Sequence, residues 1–156
     1  MTQIPDGIIS QAQRNREHSF GYLMQRIARR IDMGMKERLS EIGIDVKIFA
    51  NLMILLERDG INQRELGDLL DFPDYYTSRN IDMLVKEGFA ERRPDPNSRR
   101  SFLIYLTRAG RDKAMQLPNI IKESNEHHLS NLDESEQKQI IKLLHKVAGI
   151  DLYVDE

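Results

Sequence analysis

The sequence predicts a mainly helical α+β fold in which a helix-turn-helix leads into a basic β-hairpin and amphipathic helices flank both. Three observations predict it. Between residues 62 and 107, two short helical stretches are separated by a proline-bearing turn and followed at once by two apolar stretches of period two. A long apolar stripe at helical spacing precedes this centre, and a second stripe, with acidic residues at its start, follows it.

Before about His18 the chain is polar and reads as a tail or a helix extension. Phe20, Leu23, Met24, Ile27, Ala28, Ile31, Met35, Leu39 and Ile42 then trace one helical face, ended by Gly43. This helix has more apolar length than a small core needs. The surplus is expected to pack either against a second subunit or within the same chain. Asp45 is expected to cap the next helix, which carries Val46, Phe49, Ala50, Leu52, Met53 and Leu56 and closes at Arg58-Asp59-Gly60. Ile61 is placed as a short strand pairing with the hairpin.

Asn62 offers an N-cap with Glu65 three positions on, and Leu66, Leu69 and Leu70 share one face of the short helix that follows. Asp71-Phe72-Pro73-Asp74 breaks it, because proline disfavours helix in the residue before it, and Asp74 is expected to cap the second helix, residues 74–87, stopped by Gly88. On that helix Thr77, Ile81, Leu84 and Val85 form the expected core face. Tyr75, Tyr76, Arg79, Asp82, Met83 and Lys86 form the other, a mixture of rings and cations suited to bases and phosphates in a major groove. An ordinary solvated face is the alternative.

Residues 89–93 and 101–107 read as strands around Pro94-Asp95-Pro96-Asn97-Ser98-Arg99-Arg100, a turn-rich tip with Arg99 and Arg100 at its end. A flat, permanently charged guanidinium suits the negative potential of a narrow minor groove. After the hairpin, Thr107 is expected to cap one helix through Ala114, Leu117, Ile120 and Ile121 towards Leu129, kinked at Pro118. A last helix begins near Asp133, whose acidic neighbours suit a positive helix N-terminus, and carries Ile140, Ile141, Leu143, Leu144 and Val147 before Gly149.

The run from Asp95 to Gly110 resembles the wing signature of the MarR family of bacterial transcriptional regulators, D-P-x-D-R-R followed by L-T-x-x-G. Arg99, Arg100, Leu106, Thr107 and Gly110 match it, and so do Ser78, Arg79, Ile81, Asp82, Leu84 and Gly88 in the helix before. Ser98 departs from it, standing where the family usually has an aspartate. The resemblance implies a winged helix-turn-helix over residues 45–107, with residues 1–44 and 108–156 supplying helices for a homodimer. It implies a regulator, most often a repressor, that reads a pseudo-palindromic operator in double-stranded DNA. Tyr75, Tyr76, Arg79, Lys86, Arg99 and Arg100 are the expected DNA-binding residues. It also implies release by a small aromatic or phenolic effector entering a crevice beside the dimer helices. His18, Tyr22 and Arg26, at i, i+4 and i+8, with Met53 as a pliable wall, are candidates to line it; a solvated helix edge is the alternative.

Composition sets the bounds. The chain has 156 residues, the size of one domain, with 40% hydrophobic and 31% charged residues. Cysteine is absent, which excludes disulfides, thiolate metal ligands and thiol-based redox sensing. The longest apolar run, residues 48–56, is interrupted by Asn51 and falls well short of the roughly 20 residues of a membrane span. With no basic-then-apolar leader at the N-terminus, a cytoplasmic protein without a membrane partner is expected. Net charge is −2, but residues 91–113 carry seven Lys and Arg against three Asp and Glu, and residues 122–156 carry four against eight. The basic end suits phosphate and the acidic end avoids it.

Catalytic signatures are missing: no glycine-rich phosphate loop, no G-x-S-x-G and no H-E-x-x-H occurs, so neither an enzyme nor a cofactor is expected. His127, His128 and His145 with Glu123 and Glu126 complete no standard metal spacing and read as surface residues. A winged helix serving protein interaction through exposed tyrosines, without DNA binding, is the competing function.

Overall fold

Capping chemistry and apolar periodicity divide residues 6–151, which this computed structural model describes, into eight helices and three strands among the described residues. The polar stretch ahead of His18 is a helix of its own, α1 (Asp6–Glu17). It carries its own side-chain ladder, Gln11 to Asn15 and Gln13 to Glu17 at i, i+4. Ser19 then caps α2 (Phe20–Glu41), accepting from the Tyr22 N–H, and the chain turns away at Gly43 with φ +73°. Only the C-terminal part of the apolar stripe of α2 enters the core, through Met35 and Leu39.

Asp45 does not cap the following helix. Its carboxylate accepts from the Lys47 N–H at 2.8 Å, closing a local turn, and its carbonyl accepts from Ile48. A short Asp side chain satisfied two residues on favours a turn over a helix start, so α3 (Phe49–Glu57) begins three residues later than its apolar pattern suggested. Ile44 and Ile48, both buried, pin the turn to the core.

Strand β1 (Ile61–Asn62) is the expected short strand, pairing antiparallel with β3 (Ser98–Leu106) so that Ile61 faces Ile104. Strand β2 (Ala90–Asp95) pairs with the other edge of β3, giving the order β1-β3-β2. Between β1 and β2 lie α4 (Gln63–Leu69) and α5 (Asp74–Lys86). Leu52, Leu55, Leu66, Ile81, Leu84 and Ile104 are completely buried and form the core where α3, α4 and α5 meet the sheet.

The hairpin is longer and its tip tighter than expected. Both strands continue to a turn of Pro96 and Asn97 alone, so Arg99 and Arg100 lie within β3 and not in a loop. Pro94 is tolerated because β2 is an edge strand with no neighbour to need its missing N–H, and the register slips between Pro94 and Asp95.

Where the wing joins the next helix, three residues interlock. Thr107 donates from its hydroxyl to the Gly88 carbonyl at 2.5 Å and accepts from the Gly110 N–H at 3.0 Å, capping α6 (Arg108–Ala114). A Cβ on Gly110 would stand 1.8 Å from the Phe89 carbonyl oxygen, so no other residue fits there. Asp59 closes the other side, accepting from the Leu106 N–H at 2.8 Å and from Arg111 at 2.6 Å.

The single helix kinked at Pro118 is instead two helices, α6 and α7 (Leu117–His128), separated at Met115 and Gln116. Pro118 is the second residue of α7, where a backbone N–H has no helical acceptor to lose, so the chain breaks before the proline and does not bend at it. The described chain divides into two compact units, with the boundary after Ile120. In the second, Asp133 and Glu136 form a reciprocal capping box that starts α8 (Glu134–Ala148), and Gly149 ends it with φ +66°. No residue of α8 is buried. Among the described residues, no helix is long and apolar enough to cross a membrane.

Candidate nucleic-acid interface

The helix-turn-helix is built from one cap, one close approach and one positive φ. Asn62 Oδ1 accepts from the Glu65 N–H at 2.8 Å and starts α4. Gly67 lets α5 come close, since a Cβ there would meet Thr77 Oγ1 at 2.7 Å. Asp71, with φ +53°, takes the turn in the left-handed region that aspartate tolerates better than most residues. Asp74 is not the cap of α5: Pro73 occupies that position, and Asp74 lies in the first turn, beside the positive end of the helix.

Of the predicted core face of α5, Thr77, Ile81 and Leu84 are buried. Val85 is 38% exposed, and the fourth buried position is Asn80, whose Nδ2 donates to Asn51 Oδ1 at 3.0 Å. A single apolar stripe read at 3.6 residues per turn does not anticipate a buried amide pair; Asn51 inside the apolar run of residues 48–56 was its one visible trace. On the outer face Tyr75 is 67% exposed and Arg79 and Lys86 are exposed. Tyr76 is half-buried, its ring edge-on to Phe72 at 4.9 Å. Asp82 is exposed but joined to Arg92 of β2 at 2.6 Å.

The basic segment splits into two sets. Arg92 pairs with Asp82, Arg93 with Glu91 while lying 4.1 Å from the Tyr105 ring centre, and Arg111 with Asp59; Lys113 donates to the Ile42 carbonyl. These four cations serve the fold. Arg99, Arg100 and Arg108 are exposed and, like Arg79 and Lys86, have no side-chain partner among the described residues. The charge excess counted along the sequence therefore overstates what remains for an outside ligand, and concentrates it on the wing.

A groove of about 650 Å³ runs between the start of α4, the start of α5 and the wing, lined by Arg64, Asp74, Ser78, Arg92, Arg100 and Phe102 among others. Arg100 and the first turns of α5 thus border one space, with Arg79 next to Ser78. Lys86 lies at the far end of α5, on a groove of about 530 Å³ that it shares with Asp45, Asp82 and Glu87.

The wing tip is held by Asp95, the first aspartate of the motif, while Ser98 stands where the motif has its second. Asp95 accepts from the Asn97 N–H at 2.8 Å and from the Ser101 hydroxyl at 2.7 Å, and these bonds, the backbone one first, hold its pKa below the usual 3.8. Ser98 Oγ accepts from the Arg100 N–H at 3.3 Å.

The four candidate effector residues are placed as follows. Tyr22 accepts at its hydroxyl from Arg26 Nη1 at 3.0 Å, with Arg16 5.4 Å from its ring centre, and His18 Nδ1 lies 2.8 Å from the Arg14 carbonyl. Met53 is half-buried on α3, and neither groove of the winged core includes any of the four. His127 and His128 pack edge to face at 5.0 Å, and among the described residues no group of three His, Asp or Glu is arranged to hold a metal ion.

Comparison with known proteins agrees with this geometry. The MarR family profile matches residues 49–101, from the start of α3 into the wing. The HTH-type transcriptional regulator BilQ of Clostridium symbiosum is 27% identical over 131 residues, 84% of this chain and 91% of its own. A MarR transcriptional regulator from Methanosarcina mazei superposes with a TM-score of 0.78 at 29% identity, covering 83% of this chain and 93% of its own. A mutant Escherichia coli MarR complexed with operator DNA does so with a TM-score of 0.79 at 28% identity, covering 85% and 96%. With the helix-turn-helix, the three-stranded wing and the flanking helices all accounted for, these comparisons support classifying the chain with the MarR family of transcriptional regulators.

Proposed function

We propose that two copies of this chain bind a pseudo-palindromic operator and act as a repressor. The observation that carries this is the set of exposed arginines without a side-chain partner among the described residues, Arg79 on α5 and Arg99 and Arg100 on β3, with Arg100 lining a groove that the start of α5 also borders, while neighbouring cations are neutralised within the fold. Tyr75, Tyr76, Arg79 and Lys86 approach the major groove, and Arg99 and Arg100 enter the adjacent minor groove or clamp its phosphates. The complex of E. coli MarR with operator DNA supports this use of the fold.

Residues 1–44 and 108–156 form the dimer interface in this reading, leaving residues 45–107 to the DNA. In the single chain Phe20, Leu23, Ile27 and Ile31 of α2, and Ile141, Leu143 and Val147 of α8, are each between 38% and 63% exposed. So much exposed apolar surface on two helices is better explained by a second copy than by solvent. A two-fold dimer sets its recognition helices about 34 to 36 Å apart, one turn of DNA. His18, Tyr22, Arg26 and Met53 line the effector crevice from which a small aromatic molecule releases the DNA.

The test is retention on duplex DNA as ionic strength rises. Binding by phosphate contacts falls steeply with salt, and two half-sites about one turn apart should emerge from a randomised pool. Weak, salt-insensitive retention would favour a protein partner instead.

A further inference from the structure

Helix α5 is fastened to its own domain by a polar pair that an apolar core does not need. Asn80, 2% exposed, donates to Asn51, 0% exposed, across 29 residues of sequence, from α5 to α3. Leu52, Ile81 and Leu84, the residues beside the pair along the two helices, are completely buried. The amide nitrogen of Asn51, Nδ2, is buried with no acceptor among the described residues. Apolar side chains would fill the space without orphaning a donor, so stability does not account for the choice.

A hydrogen bond has direction, which apolar contact lacks. An apolar face tolerates small rotations and slides, because many packings bury similar area. A buried amide pair tolerates neither. Turning α5 by one residue's 100° carries Asn80 away from Asn51 and leaves two amides buried and unpaired. Arg79 is the neighbouring residue, and Tyr75 and Tyr76 lie one turn before, so their bearing on the outer face follows from the bearing of Asn80 on the inner one. The other fixed points of α5 do less. Gly67 against Thr77 sets how near α4 comes, and the exposed Arg92–Asp82 pair is screened by water.

We propose that Asn51 and Asn80 are positioning residues that fix the rotation of the recognition helix and thereby set its selectivity for operator over other DNA. This rests on the DNA-reading function proposed above.

The test compares the full-length protein with two variants, measuring Kd for a duplex selected from a random pool, Kd for a scrambled duplex of equal length, and Tm. Asn51→Leu combined with Asn80→Ala removes the pair and leaves no buried amide behind. It should keep Tm at or above the parent value, while the ratio of the scrambled-duplex Kd to the selected-duplex Kd falls by about tenfold or more, as when a well-made base contact is removed. Affinity for the scrambled duplex, carried by phosphate contacts, should hold. Asn80→Asp is isosteric, and once the Asn51 amide turns over its Nδ2 can donate to the new carboxylate, so the pair is kept: the variant should lower Tm yet leave the ratio close to the parent's. Should Asn80→Asp fail to fold, the double variant decides alone. Selectivity retained by the double variant, or selectivity that tracks Tm in both, would overturn the proposal. A parent protein that fails to discriminate between the duplexes would overturn the DNA-reading function and this inference with it.

Discussion

Single residues here divide between those that face outward and those that allow the chain to close. Arg79 belongs to the first kind. Replacing it with alanine should cost about 1 to 3 kcal/mol in operator binding if its fork meets a guanine, seen as a loss confined to sequences carrying that base. An equal loss on every duplex would assign it to a phosphate. Gly110 belongs to the second kind. With the Phe89 carbonyl 1.8 Å from where its Cβ would stand, Gly110→Ala should destabilise the fold by about 3 kcal/mol, the upper end for overpacking, in a urea titration. No change in midpoint would show that the junction yields. The Thr-x-x-Gly spacing was legible in the sequence as a motif, but its reason, a threonine tied to Gly88 while a glycine passes under Phe89, required the fold.

Among the elements, the wing combines a charged working surface with a tip fastened by Asp95. Because hydrogen bonds from Asn97 and Ser101 lower the folded-state pKa of Asp95, its contribution is fully present above the unfolded value near 3.8. It is lost as pH falls through the lower folded value. A carboxyl titration followed by carbon NMR should therefore give a midpoint below 3.8, and one at or above it would contradict the tip geometry. Replacing Arg99 and Arg100 together with alanine should weaken binding to all duplexes and reduce the log–log salt slope by about 2, one unit for each phosphate no longer neutralised. An unchanged slope would exclude the wing arginines from phosphate binding. The strand pattern was readable, but its extent was not. Prolines and asparagine suggested a wide loop, whereas an edge strand with a register slip absorbs Pro94 and leaves only Pro96 and Asn97 to turn.

At the scale of the whole molecule, the long apolar stripes of α2 and α8 are the expected seat of dimerisation. Ile27→Glu or Val147→Glu should raise the dimer dissociation constant by roughly tenfold or more, since each removes a large apolar side chain from burial and adds a charge. Analytical ultracentrifugation reads this directly, and a parent protein that stays monomeric at micromolar concentration would remove the dimer. Loss of operator binding should follow, because each half-site alone is a weak target.

Local chemistry was enough to determine the helix-turn-helix, the wing and the apolar stripes of the flanking helices, since caps, prolines, period and motif spacing are all properties of neighbouring residues; it did not show that the helix after the wing is two, α6 and α7. Tertiary structure alone decided which cations remain free, that Asn80 turns inward to meet Asn51, and that Asp59 joins the wing to α6. Those outcomes depend on groups as far as 71 residues apart along the chain competing for the same partners, and no periodicity records which of them meet.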